Sequence, residues 1–368
     1  MTVKIRKNSI GKNSPCFIIA EAGVNHNGDI GLAKKLIEAA KTAGADAVKF
    51  QTFKSEEIVT PDAGQAEYQI KNIGKEESQY AMLKRLELPY QAFRELKEYC
   101  DRVGIIFLST PHSCKEDVDL VAELCPAIKI GSGDLTNLPI LKYIAGKKLP
   151  VILSTGMADL EEVREAVETI LPDNEEVILL HCTTNYPTPL NEVNLRAMET
   201  MEREFNLPVG YSDHTTDVNV PALAVALGAC VIEKHFTLDR NLPGPDHKAS
   251  LEPQELKAMV GAIRNTEERL RQGKSEEKII AELNVSEALG DGVKNPNPSE
   301  IEVAKVARKS IVAAADIPKG KVITEEMLAI KRPGTGLPSR ELAKVLGRIA
   351  KNDIRKNVLI KYEDLDQN

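Results

Sequence analysis

Eight short apolar runs in this sequence turn polar as they end, and the polar residues are of kinds that do chemistry. Glu21 closes the first run, Lys49 and Gln51 the second, Ser109 and Thr110 the third, and Lys129 and Ser132 the fourth. The other four end in Ser154 and Thr155, His181 and Thr183, Ser212 to His214, and Glu233 to His235. If the last two runs are adjacent parallel strands about 4.8 Å apart, His214 and His235 can share one divalent ion. Only two imidazoles among hard oxygen groups suit an open octahedral Mn2+ or Mg2+ site better than a closed structural zinc site. Asp213 or Glu233 can orient a ring from behind. The plainer reading is that both histidines hydrogen-bond neighbouring strands. Lys49 and Lys129 point toward the same end, near Ser132, Ser154 and Ser212. Two ammonium groups among hydroxyls and glycine-rich backbone can hold a phosphate and a carboxylate. A lysine among apolar strand residues can instead be a Schiff-base nucleophile, and spacing alone does not separate these roles.

The elements that must position these groups follow from the pattern. Candidate strands at 16–23, 47–53, 104–111, 127–133, 150–156, 177–183, 208–214 and 230–236 alternate with amphipathic stretches such as 31–44, 160–170 and 220–229, a βα rhythm. Eight such pairs within about 270 residues predict a (β/α)8 TIM barrel, whose strand ends converge on one face. In the eighth run, ACVIEKHFTLD (229–239), alternation puts Glu233 and His235 on one face and Lys234 on the other. His235 then lies at the mouth and Glu233 one layer deeper, needing a partner such as a neighbouring lysine. Lys234 faces the outer helices and pairs there. The connection from Lys54 to Tyr90 exceeds the usual βα loop of about 2–6 residues. It reads as a lid over the mouth, a subunit contact or a solvated insertion.

Composition bounds the partners. The 368 residues are 42% hydrophobic and 28% charged, enough for a large core and a small second domain. A net charge of -7 without a basic run argues against nucleic-acid and anionic-membrane surfaces. Six scattered cysteines without a C-x-x-C pair fit a reducing cytoplasm. No signal-like segment and no apolar stretch of the ~20 residues needed to span a bilayer occurs, so a soluble cytoplasmic protein is expected.

Ten motifs in order carry a resemblance over nearly the whole chain: AEAGVNHNGD (20–29), VKFQTFK (48–54), LSTP (108–111), KIGSGD (129–134), LSTGM (153–157), LHCTTNYPTP (180–189), GYSDHT (210–215), IEKHFTLD (232–239), PGPDHKAS (243–250) and KRPGTG (331–336). They resemble the sialic acid synthase family, which condenses phosphoenolpyruvate with the open-chain aldehyde of an N-acylated mannosamine-type sugar to a nine-carbon 2-keto acid and phosphate. The resemblance implies a barrel at 1–287, a linker at 288–304 and an antifreeze-like (SAF, β-clip) domain at 305–368. It implies that His214 and His235 bind the ion, Mn2+ foremost with Mg2+ or Co2+ as alternatives, and that Lys49, Thr110, Lys129, Ser132, Ser154 and Ser212 hold phosphoenolpyruvate. Glu21 and Asp134 match positions at the reacting centre, and Gln51, Tyr186 and Asp246 positions around metal and sugar. Arg332 would reach the sugar site of a partner subunit in a domain-swapped homodimer. Two departures stand out: Asp134 replaces the glutamate of a motif usually read GSGE, and Thr184 stands where some members have Asn.

The C-terminal third reads on its own as charged helix to Leu283, then an exposed Gly/Asn/Pro-rich linker, then short β-like runs broken by PKG and RPGTG turns. The motifs do not separate N-acetylmannosamine, which gives N-acetylneuraminate, from 2,4-diacetamido-2,4,6-trideoxymannose, which gives N,N'-diacetyllegionaminate. More distant readings are a Schiff-base lyase, a synthase acting on a sugar phosphate, and a non-catalytic carbohydrate-binding protein.

Overall fold

In the computed structural model, which describes residues 1–112 and 114–366, an antiparallel hairpin of β1 (Thr2–Ile5) and β2 (Asn8–Gly11) precedes the first long buried strand. The sequence pattern did not announce this hairpin. Eight parallel strands follow: β3 (Phe17–Gly23), β4 (Ala47–Thr52), β5 (Ile106–Pro111), β6 (Ile128–Ile130), β7 (Val151–Ser154), β8 (Val177–Cys182), β9 (Val209–Asp213) and β10 (Val231–His235). Their order is β5-β4-β3-β10-β9-β8-β7-β6, and contacts between β5 and β6 bring the two ends of the sheet together as a nearly closed barrel. The strands are buried on both faces, inside by one another and outside by helices, so they read as continuous apolar runs. All eight match the runs expected from sequence.

The first crossover helix, Ile30–Ala43, shows why the pattern is legible. Asp29 caps it by accepting from the amides of Gly31 and Leu32, and Gly44 ends it at a left-handed φ of 89°. Its buried residues Ala33, Leu36, Ile37 and Ala40 repeat at helical spacing and pack on the barrel.

The long connection after β4 folds into three short helices, Ser55–Ile58, Glu67–Ile73 and Gln79–Leu86. Ile58, Val59, Ala63, Met82, Leu83 and Leu86 form a small apolar cluster of its own with Val24 and Phe53. It lies across the mouth, as a lid would.

The stretch after Leu283, expected as an exposed linker, is exposed at residues such as Gly290, Asp291 and Val293 but docked at others. Lys294 is buried and donates to the carbonyl of Ala158 at 2.6 Å. Asn297 and Pro298 are a helix start, and helix Pro298–Ala307 packs against the barrel mouth. The same Asn and Pro residues that mark flexible segments also mark helix N-termini, which is why composition misread them. Beyond it, β11 (Ser310–Ala313) and β12 (Leu328–Lys331) pair antiparallel over a separate core that includes Ile311, Ile317, Ile323, Val345 and Ile360.

Candidate active site

A cavity of about 1000 Å³, counting its open mouth, lies at the C-terminal ends of the strands. Glu21, Lys49, Gln51, Thr110, Lys129, Ser132, Ser154, Tyr186, Ser212, His214, His235, Asp246 and Arg332 all line it. Thirteen of the fourteen residues singled out from sequence therefore meet in one place.

Its floor is a buried charge quartet. Lys49 Nζ lies 2.8 Å from Glu21 Oε2 and 3.6 Å from Glu233 Oε2, and Lys129 Nζ lies 3.5 Å from Glu233 Oε1. Glu233 thus has the lysine partners that its depth required. Burial opposes its charge, but Lys129 and Lys49 outweigh that and hold its carboxyl below the ordinary value. Glu21 has only Lys49 close by, and burial raises it above the ordinary value. Burial also lowers Lys129, whereas in Lys49 the two glutamates outweigh burial and raise it. The hydroxyls complete the floor: Lys129 donates to Ser154 Oγ at 2.7 Å, Lys49 to Thr110 Oγ1 at 3.1 Å, and Ser212 Oγ to Glu233 at 3.2 Å. Ser132 Oγ accepts from the amide of Gly156 at 3.0 Å. Gln51 donates to Glu21 Oε1 at 3.0 Å.

The histidine pair sits at one wall, its ring centroids 5.4 Å apart. The Nδ1 of His214 is 2.6 Å from the carbonyl of Thr183. That bond fixes the tautomer and leaves Nε2 as a lone-pair donor. Asp213 does not orient this ring. Its carboxylate faces outward to the fully buried Lys234 and to Thr215, so Lys234 pairs with the adjacent strand rather than with a helix. His235 Nδ1 is buried without a hydrogen-bond partner, 3.8 Å from Asp246 Oδ2. Burial lowers His214 to about 4 and His235 well below its ordinary value, so both are neutral near pH 7. Among the described residues no three His, Cys, Asp or Glu side chains form a ready-made metal cage. An open site with two protein nitrogens, completed by water and substrate, fits this donor set. Tyr186 packs on His214 at 4.2 Å between centroids, and Tyr68 of the lid packs on Tyr186 at 5.0 Å. Asp246 is raised to about 7, first by burial and then by Glu21.

One placement departs from expectation. Asp134, in the turn Ser132–Asp134, does not line the cavity. Its carboxylate pairs with the buried ammonium of Lys309 and accepts from Asn137 Nδ2 at 3.1 Å. Burial opposes its charge, but Lys309 outweighs that and holds it below the ordinary carboxylate value. Its other oxygen, Oδ2, lies 3.9 Å from Nδ1 of His112, a residue of the cavity wall. Arg332 also lines the cavity. Its backbone amide donates to Ile58 O and its carbonyl accepts from Thr60 N, and its Nη1 lies 3.4 Å from Gln79 Oε1.

Residues that sequence reasoning missed come from the long connection and the linker helix: Tyr68, Gln79, Met82 and Leu86 on one side, Val303 and Ala307 on the other. The unusual length of the first segment was their only sequence signal. His112 also faces the cavity, burial holding it well below its ordinary pKa.

Sequence comparison agrees with this geometry. The NeuB family profile matches residues 36–275 and the SAF domain profile residues 308–366. The chain is 48% identical to the N,N'-diacetyllegionaminic acid synthase of Campylobacter jejuni, over 94% of this chain and 98% of that one. It is 44% identical to the protein of the same name from Legionella pneumophila, over 97% and 96% respectively. The crystal structure of the spore coat polysaccharide biosynthesis protein SpsE of Bacillus subtilis matches it with a TM-score of 0.83 at 35% identity, covering 100% of both chains. The chain belongs to the NeuB family, with a SAF domain following its barrel.

Proposed function

We propose that this protein condenses phosphoenolpyruvate with the open-chain aldehyde of an N-acylated mannosamine-type sugar and water, giving a nine-carbon 2-keto acid and inorganic phosphate. The observation that carries the reading is the meeting, in one cavity, of two buried lysines among serine hydroxyls with a neutral histidine pair. Lys49, Lys129, Ser132, Ser154, Ser212 and Thr110 would hold the phosphate and carboxylate of phosphoenolpyruvate. Its C3 bonds to the aldehyde carbon, water adds at C2, and phosphate leaves as the C2 ketone forms. His214 and His235 would hold a divalent ion, with Mn2+ the first candidate, and such an ion supplies a Lewis acid for the developing alkoxide. Glu21 is held by Lys49 and Gln51 where it can take a proton from the attacking water or return one to the oxygen of the former aldehyde, and Tyr186, Gln51, Asp246 and Arg332 would bind the sugar. Asp134, tied to Lys309, would act on the sugar only indirectly.

Two relatives named as N,N'-diacetyllegionaminic acid synthases, together with apolar Met82, Leu83 and Leu86 on the lid side of the cavity, favour 2,4-diacetamido-2,4,6-trideoxymannose over N-acetylmannosamine. Incubation with Mn2+, phosphoenolpyruvate and each sugar should release phosphate and keto acid in equal amounts, and EDTA should abolish it. A Schiff-base reading of Lys129 forecasts the opposite: trapping by borohydride with pyruvate and no metal requirement. His235→Ala should keep the fold, as judged by circular dichroism, while losing bound metal and most turnover; a fully active variant would sink the metal assignment.

A further inference from the structure

Outside the residues already given roles, one buried carboxylate has an unusual set of partners. Glu300, in the linker helix Pro298–Ala307, is 1% exposed. Its Oε1 accepts from two backbone amides, Met157 N and Thr184 N, each at 2.7 Å. Its Oε2 accepts from Asn297 N at 3.0 Å. Among the described residues no cation lies within ion-pair distance of it, so three amide dipoles, with the buried ammonium of Lys294 farther off, offset the cost of burying the charge.

The two amides belong to different loops. Met157 follows β7 and the Ser154-Thr155-Gly156 turn; Thr184 follows β8. Met157 has a left-handed φ of 61°, a conformation that a non-glycine residue keeps only where its surroundings impose it. Here both of its peptide groups are held from the linker side, the amide by Glu300 and the carbonyl by Arg308 Nη2 at 2.6 Å. The loops also touch closely. A Cβ at Gly156 would meet Thr184 Oγ1 at 2.1 Å, Ser132 Oγ at 2.8 Å and Cys182 Sγ at 2.9 Å. Since Gly156 N donates to Ser132 Oγ, the separation of these loops sets where Ser132 and Ser154 stand. The turn that carries Tyr186 has its own ties, Thr188 N to His214 O at 2.9 Å and Thr188 Oγ1 to Asn185 O at 2.8 Å.

We propose that Glu300 is a positioning residue for the phosphoenolpyruvate cradle, by which the linker to the C-terminal domain holds the β7 and β8 loops in register. This rests on the reading that Ser132 and Ser154 hold phosphoenolpyruvate. The cradle is then competent only while the linker helix is seated, which couples the two ends of the chain.

The test is calorimetric titration of the full chain with phosphoenolpyruvate in the absence of sugar, followed by steady-state kinetics. Glu300→Ala should weaken phosphoenolpyruvate binding about tenfold or more, the scale of one lost charge-assisted hydrogen bond, while the KM for sugar changes less than about threefold. Glu300→Gln, whose amide oxygen still accepts, should fall between. Ser299→Ala, which removes the bond from Ser299 Oγ to Glu192 Oε2 and loosens the same helix elsewhere, should leave phosphoenolpyruvate affinity unchanged. Unaltered affinity in Glu300→Ala, or losses for both substrates that Ser299→Ala reproduces, would overturn the proposal. A wild type that binds no phosphoenolpyruvate would instead overturn the reading on which it rests.

Discussion

Glu233 sits between two lysines that would otherwise be buried ammonium groups with little compensation. Its role is electrostatic before it is catalytic. With Glu21 it makes the quartet neutral, so that the floor can persist before any anion arrives. Removing one partner of a buried ion pair typically costs about 3–5 kcal/mol, because the charge left behind is not rehydrated. Glu233→Gln should therefore lower the urea midpoint by an amount of that order. Phosphoenolpyruvate should restore more stability to the variant than to the wild type, because its charge can stand in for the lost carboxylate. Equal stabilisation of the two proteins would show that the anion does not bind at these lysines. At this scale the sequence was informative about residue type and alternation: His235 and Glu233 share the inner face, as a period of two requires. It was blind to Asp134, because whether a carboxylate faces a cavity or Lys309 depends on a residue 175 positions away.

Among the elements, the helix Lys115–Leu124 carries a consequence for pH. Asp117, in its first turn, is fully buried and accepts from Tyr90 Oη at 2.6 Å, while its second oxygen has no partner. Burial is the largest cause of a carboxyl raised to about 6. An acid raised on folding is protonated in the folded chain over a range where the unfolded chain has ionised. The folded state then binds more protons, and stability falls as pH rises between the two values. From the ordinary 3.8 to about 6 is roughly two pKa units, or about 3 kcal/mol. Relative to Asp117→Asn, the wild type should lose about that much stability between about pH 4 and pH 7, read from urea unfolding at each pH. A stability difference independent of pH would rule out a raised Asp117. Element type was legible where period and caps agree, as in Ile30–Ala43. It was not legible in residues 298–307, where Asn and Pro signal both a loop and a helix start.

Seen as a whole molecule, the chain builds its mouth from three sources: the barrel, the connection between β4 and β5, and the C-terminal segment. Gly133 marks where they meet. A Cβ there would lie 2.7 Å from the carbonyl oxygen of Ala307 and 3.6 Å from Arg332 Nη2. Backbone cannot yield as a flexible side chain would, so Gly133→Ala should push the linker helix outward and carry Arg332 with it. The expected result is a KM for sugar raised about tenfold, equivalent to about 1.4 kcal/mol, with the barrel's own stability little changed. An unchanged KM would mean that Arg332 does not contact the sugar.

Taken alone, the sequence determined the barrel, its eight strands and thirteen of the residues that line its mouth. The barrel, the strands and ten of these residues follow from local periodicity and from the rule that parallel strand ends converge, while Tyr186, Asp246 and Arg332 came from the resemblance of the motifs. The pairing of Arg332 with the connection after β4, the pairing of Asp134 with Lys309 and the hold of Glu300 on two loops were decided by tertiary structure. Each depends on contacts between residues more than a hundred positions apart, and neither hydrophobic period nor turn chemistry carries information over such distances.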